Sequence, residues 1–172
     1  MHTNLIDSLS PITDRIYISS HKIANTSPLN GITHVISVNN KALTERTDLT
    51  YHRFGDLEDE KDPSKIDYVR EKLIPVLASG CEIIHEILNR NKFNKVLVQC
   101  NAGKCRSVSL VIAYICKVTH LNYGQILSFV QSKRVCAKPN SNFETVIKEF
   151  LSTGRELNVT TSESEDLISQ IY

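Results

Sequence analysis

Val96-Leu97-Val98-Gln99-Cys100-Asn101-Ala102-Gly103-Lys104-Cys105-Arg106-Ser107 is the stretch whose reading decides the fold. Its apolar start, Val96 to Val98, is the continuous run expected of a central strand buried on both faces. A long apolar helix, Ser107 to about Val118, begins as the stretch ends. Strand, tight loop and helix in that order make an anion cradle, because N–H groups of the loop and the first helical turn converge on one point. Gly103 allows backbone angles that a side chain forbids. Arg106 offers a planar, permanently charged fork matched to two oxygens of a phosphate. Those positive surroundings suit a nucleophilic thiolate at Cys100. A cysteine and an arginine separated by five residues are a frequent coincidence in a chain with five cysteines; the flanking strand, glycine and helix give the pair its weight.

Upstream, Ile16-Tyr17-Ile18, Thr33 to Val38 and Tyr51 to Phe54 read as short strands, with a turn at Pro28, Asn30 and Gly31. An acidic run follows, Asp56-Leu57-Glu58-Asp59-Glu60-Lys61-Asp62-Pro63. From Ser64 to Asn89 the apolar residues recur at helical spacing, and the interruptions at Pro75 and Gly80 predict two helices or one broken helix. Downstream, Asn122 stands three before Gln125 and Ser141 three before Glu144, which predicts two side-chain-capped helices. Strands alternating with helices, then a helical C-terminal half, predict a single α/β domain with a central mixed, mostly parallel sheet flanked by helices. Residues 152–172 have the polar, acidic composition of a disordered tail, so any order there requires contact with the domain or with a neighbouring chain.

Composition sets limits on function. The 172 residues carry a formal net charge of +1, so nothing draws the whole molecule to nucleic acid or to an anionic membrane, and anion binding must be local. No basic stretch leading into an apolar run suggests a signal peptide, and no apolar segment is long enough to span a bilayer. The cysteines, at 81, 100, 105, 116 and 136, form neither a disulfide framework nor a zinc-ligand spacing. Cys81 and Cys116 read as small core hydrophobes. A cytoplasmic protein is expected, with the nucleus left open, needing no metal and no cofactor.

The decisive stretch resembles the signature loop of protein tyrosine phosphatases, His-Cys-x5-Arg-Ser/Thr, and in particular that of the dual-specificity branch. Asp14-Arg15-Ile16-Tyr17-Ile18 and Gly31-Ile32-Thr33-His34-Val35-Ile36 resemble that family's opening strand and its "gly-ile-thr-his-val" segment. Arg106 through Tyr114 resembles its post-loop helix. Ser132-Lys133-Arg134 and Lys138-Pro139-Asn140-Ser141-Asn142-Phe143 resemble its "lys-arg … pro-asn-x-x-phe" ending. The matches run in order from about residue 11 to 151. They divide the chain into an N-terminal segment (1–10), a catalytic domain (11–151) and the tail (152–172). The N-terminal segment and the tail are both candidate contacts for a homodimer.

The resemblance implies hydrolysis of phosphotyrosine and of phosphoserine or phosphothreonine in protein substrates, through a cysteinyl-phosphate. Cys100 would be the nucleophile and Arg106 the phosphate clamp. Asn101, Ala102, Gly103, Lys104 and Cys105 would complete the cradle, and Ser107 would hydrogen-bond the sulfur. For the general acid, an ungapped alignment points to Glu58, while the family's use of aspartate favours Asp59; Asp56 is a third choice. Gln99 replaces the family's histidine, which organises the loop and keeps the thiol ionised, and this predicts a slower enzyme. The stretch between the acidic run and the strand at Val96 is about ten residues longer than usual, with the extra residues expected between Asp62 and Val76. Cys105 is expected to face outward or pack locally, with a resolving-thiol role as the alternative, and Lys104 to add local positive charge. The competing reading is a phosphatase fold that binds phosphoprotein without turning it over. RNA or inositol-lipid substrates lack a supporting basic surface pattern.

Overall fold

The computed structural model describes residues 7–172. Its centre is strand β5, Val96–Cys100, in which every residue is buried. Strands β2 (Ile16–Ser20) and β3 (His34–Ser37) flank it in parallel, so that Ser20 pairs with Cys100 and Ser37 with Gln99. Strand β4, Thr50–Arg53, runs parallel to β3 at one edge, and the two-residue β1, Ser10–Pro11, runs antiparallel to β2 at the other. The order β1-β2-β5-β3-β4 is the mixed, mostly parallel sheet expected from the alternating pattern. Because the parallel strands end together, Cys100 emerges at the carboxyl edge, where α/β folds place their ligands.

Helix α1, His21–Thr26, covers one face, over a cluster that includes Ala24, Ile32, Val35 and Leu97. The other face carries the larger core, built around α3, Arg106–Thr119, whose residues from Ser107 to Thr119 are all buried. An all-round apolar helix is stable only when enclosed, and α2 (Ile66–Arg90), α4 (Tyr123–Lys133), α5 (Ser141–Thr153) and α6 (Thr161–Ile171) enclose it. Cys81 and Cys116 lie in this core, as their sequence context suggests. No helix of the described residues is long and apolar enough to cross a membrane.

Two expectations need correction. The periodic stretch after the acidic run is neither two helices nor a broken one: after a 3₁₀ turn at Pro63–Lys65, α2 runs unbroken through Ile66–Arg90. Pro75 falls on its exposed side, where a carbonyl left without its partner meets water. At Gly80 the helix makes room for α3: a Cβ there would lie 2.5 Å from Leu110 Cδ1. Packing against α3 and α5 therefore overrides two local helix breakers. The N-cap of α5 is Asn140, whose side chain accepts from the Phe143 N–H; Ser141 is the first helical residue. Asn122 does form the expected capping box with Gln125.

The polar tail is helix α6, set on its own domain. A capping box between Thr160 and Glu163 starts it, Leu167 is buried beneath it, and the Gln170 side chain accepts from the Asp14 N–H at 2.9 Å. Of the N-terminal segment proposed as a dimer contact, residues 1–6 lie outside the described part. The residues expected as an extra stretch between Asp62 and Val76 form the 3₁₀ turn and the first turns of α2. There Arg70 makes a two-pronged contact with Glu149 of α5.

Candidate active site

The loop from Cys100 to Arg106 is held by its carbonyls. The Asn101 carbonyl accepts from the His21 N–H, and the Lys104 carbonyl from the Lys138 N–H at 2.7 Å. Those of Ala102 and Gly103 accept from Arg134, at 3.2 and 2.7 Å. With four successive carbonyls taken from outside, the planar trans peptides turn their N–H groups to the concave side, which is the geometry of an anion nest. Gly103 sits at φ +65°, and a Cβ there would lie 2.6 Å from the Ser19 carbonyl oxygen, so no other residue fits. Lys104 is exposed at the rim, and Lys41 donates to the Asn101 side chain at 2.6 Å.

Cys100, the last residue of β5, is 2% exposed, and its sulfur lies 3.1 Å from Ser107 Oγ in the first turn of α3. Arg106 begins that helix, and its Nη1 donates to the Leu57 carbonyl at 3.0 Å. Thus the acidic run lies over the loop, anchored by Leu57, which is buried.

Within that run the acids differ in what they touch. Asp56 pairs with Lys72 at 2.8 Å and points away to solvent. Glu60 pairs with Lys65 and accepts from the Asp62 N–H, which holds its carboxyl below the usual range. Asp62 caps the 3₁₀ turn through Ser64, with the same effect. Glu58 is exposed. Asp59 is turned inward: Asn140 Nδ2 donates to its Oδ1 at 2.7 Å, and it lies beside the Cys105 thiol. Burial, followed by the nearby Asp59 charge, pushes that thiol up, so Cys105 stays protonated in its packed position.

Behind Cys100, Gln99 is fully buried. Its Oε1 takes a long 3.5 Å contact from Asn39 Nδ2. Gln99 Nε2, Asn39 Oδ1 and His21 Nδ1 are all buried and lack a hydrogen-bond partner among the described residues. Burial, then the Lys41 charge, lower the His21 pKa, while the facing Gln99 side chain acts the other way.

The structure therefore brings Cys100, Asn101 to Arg106, Ser107 and Asp59 together, and leaves Glu58 and Asp56 outward. Sequence reasoning missed the parts played by Leu57, Arg134 and Asn142. It quoted Arg134, Asn140 and Asn142 only as marks of resemblance, and their shared signal was position in the "lys-arg … pro-asn" segment. A cavity of about 590 Å³ near His120 and Lys148 lies at the opposite end of α3, on the order of 20 Å from the loop by helical rise, and takes no part in this site.

Known proteins resemble this chain in sequence and in fold. Dual specificity protein phosphatase 22-B of Danio rerio is 34% identical over 121 residues, 70% of this chain and 60% of that protein. The human dual specificity protein phosphatase 22 is 31% identical over 147 residues, covering 84% of this chain and 74% of its own length. The chain spans 53–60% of the length of several such relatives. Among solved structures, a human tyrosine phosphatase-like serine/threonine/tyrosine-interacting protein has a TM-score of 0.71 at 26% identity, over 84% of this chain and 95% of that one. DUSP15 has 0.72 at 23%, over 94% and 96%, which is a likeness of fold. The description "Dual specificity phosphatase, catalytic domain" matches residues 16–153, and a match over that much of the chain makes it a member of the dual specificity phosphatase family, within the protein tyrosine phosphatase superfamily.

Proposed function

We propose that the protein is a phosphoprotein phosphatase working through a cysteinyl-phosphate on phosphotyrosine and phosphoserine or phosphothreonine. The observation that carries this reading is the buried Cys100 sulfur at the mouth of the N–H-lined loop, 3.1 Å from Ser107 Oγ. The phosphate sits in the loop, its oxygens met by the N–H groups and by the Arg106 fork. The Cys100 sulfur forms a bond to phosphorus as the bond from phosphorus to the ester oxygen breaks. Asp59 gives its proton to that departing oxygen. In the second half, Asp59 takes a proton from water, the water oxygen bonds to phosphorus, and the sulfur leaves as thiolate, supported by the Ser107 hydroxyl.

The inward placement of Asp59, against the outward Asp56 and Glu58, supports its choice as the acid. A second reading, phosphoprotein binding without turnover, draws on the unpartnered Gln99 Nε2 behind the nucleophile. The likeness to a phosphatase-like interacting protein adds to it. Hydrolysis of an aryl phosphate and of phosphotyrosine and phosphothreonine peptides, by the intact protein and by Cys100→Ser, separates the two. Turnover that Cys100→Ser abolishes is the expected result. Peptide binding by the reduced protein with no phosphate released would overturn the enzyme reading.

A further inference from the structure

Asn140 stands at a junction of three contacts. Its side-chain Oδ1 accepts from the Phe143 N–H at 2.9 Å and caps α5. Its Nδ2 donates to Asp59 Oδ1 at 2.7 Å. Its backbone N–H donates to the Cys105 sulfur at 3.4 Å, inside the phosphate loop. The cap fixes the orientation of the amide, because reversing it would place an NH₂ group against the helix N–H and an oxygen against a carboxylate. Asn142, 4% exposed, adds a second tie: its Nδ2 donates to the carbonyls of Glu60 at 3.2 Å and Asp62 at 2.9 Å. One helix start thus holds both the loop that grips phosphate and the segment that carries Asp59.

We propose that Asn140 is the positioning residue for Asp59 in proton transfer to the leaving oxygen, with Asn142 fixing the backbone on which Asp59 rides. This rests on the phosphatase reading above. The Asp59 carboxyl is held from outside its own run, by the Asn140 amide and the neighbouring Cys105 thiol. Of the two, the amide is the direct donor to its oxygen, across 81 residues of sequence, and so sets its distance to the departing oxygen. Small displacements of a catalytic group cost large factors in rate. The contribution at stake is the proton-transfer part of catalysis, worth roughly 10²–10⁴-fold in general.

The test exploits the leaving group. Esters of acidic phenols depart without a proton, whereas esters of weakly acidic phenols need one. Asn140→Ser keeps a side-chain oxygen to cap α5 and removes only the amide donor, while Asn140→Asp keeps the cap and sets a carboxylate against Asp59. Steady-state kcat and KM would be measured for a series of aryl phosphates with the wild type, Asn140→Ser, Asn140→Asp, Asp59→Asn and the double variant Asp59→Asn/Asn140→Ser, with melting curves for each. Asn140→Ser should melt near the wild type. It should lose kcat/KM about tenfold more on phenyl phosphate than on the ester of the most acidic phenol, because kcat/KM reads the step that expels the phenol and not the later attack of water. Asn140→Asp should lose more, and Asn140→Ser should add nothing to Asp59→Asn. A uniform loss of kcat/KM across the series, or full additivity with Asp59→Asn, overturns the proposal while leaving the Cys100 mechanism standing. An Asp59→Asn enzyme with no leaving-group dependence removes the assignment of Asp59 and this proposal together. Wild-type protein inactive on every ester overturns the phosphatase reading itself.

Discussion

Arg134 Nε donates to the Gly103 carbonyl at 2.7 Å from a side chain that is only 2% exposed. The same guanidinium reaches Ala102 O, Ser8 O and Ser10 Oγ, and so joins the phosphate loop to the chain entering β1. Burial lowers its pKa, yet an arginine remains cationic throughout the working range. Its charge is thus spread over oxygens, and it draws the loop carbonyls to the outer side of the loop.

Arg134→Lys should therefore behave as a severe change. An ammonium cannot span four acceptors arranged around a planar fork. We expect a loss of about 2–4 kcal/mol in urea unfolding, the range for leaving buried polar groups unpaired around a charge. Phosphate binding should weaken as well, seen as less protection of the variant against unfolding by inorganic phosphate. A variant as stable as the wild type would show that the loop carbonyls find other donors.

His34 on β3 and His52 on β4 stack with ring centroids 6.2 Å apart. Burial lowers both pKa values; His52 and Arg90 lower that of His34 further, while Glu86 partly opposes the shift at His52. Both folded values lie below the unfolded 6.5, so in the interval between them the unfolded chain binds more protons. Stability is then fully present above pH 6.5 and is lost as pH falls through that interval. Melting temperature should drop between pH 7.5 and 5.5, and less steeply in His34→Gln/His52→Gln. His21, also lowered, leaves a residual slope. Parallel slopes for the wild type and the double variant would rule this account out.

Leu167 anchors α6 over α3, at the end of the sheet away from Cys100. Leu167→Ala should cost about 2–3 kcal/mol, toward the low end for a core leucine because the helix lies at the surface. Turnover at low temperature should stay within about twofold, since a cost to folding below the melting transition leaves the native site intact. Calorimetry and an aryl phosphate assay on the same sample read the two effects separately.

Much of this architecture is legible in the chain. The loop reads well because strand, glycine, arginine and helix lie within twelve consecutive residues, so local rules suffice. Two local rules failed where distant residues decide. Pro75 and Gly80 signal breaks, but the exposure of one and the approach of Leu110 to the other are tertiary facts. Asn140 and Ser141 can both cap a helix, and only the backbone entering α5, extended at Asn140, selects the first. Counting along the chain points to Glu58 and residue type to Asp59, whereas the orientations of Asp59 and Asp56 are set from outside the segment, by Asn140 and Lys72. Helix α6 was hidden by its composition: a single buried leucine, a capping box and a few partly buried neighbours suffice once α3 supplies the surface.

On the phosphatase reading, the hydrogen bond from Arg106 to the Leu57 carbonyl makes phosphate affinity and the order of residues 57–62 two sides of one equilibrium. Any change that loosens the segment weakens the grip on phosphate by some factor, and reciprocity requires bound phosphate to tighten the segment by the same factor. Product retained after turnover would hold the site assembled, whereas an empty site would leave that order to Asn140 and Asn142. Hydrogen exchange at these amides, followed as inorganic phosphate is titrated in, would report occupancy of the site.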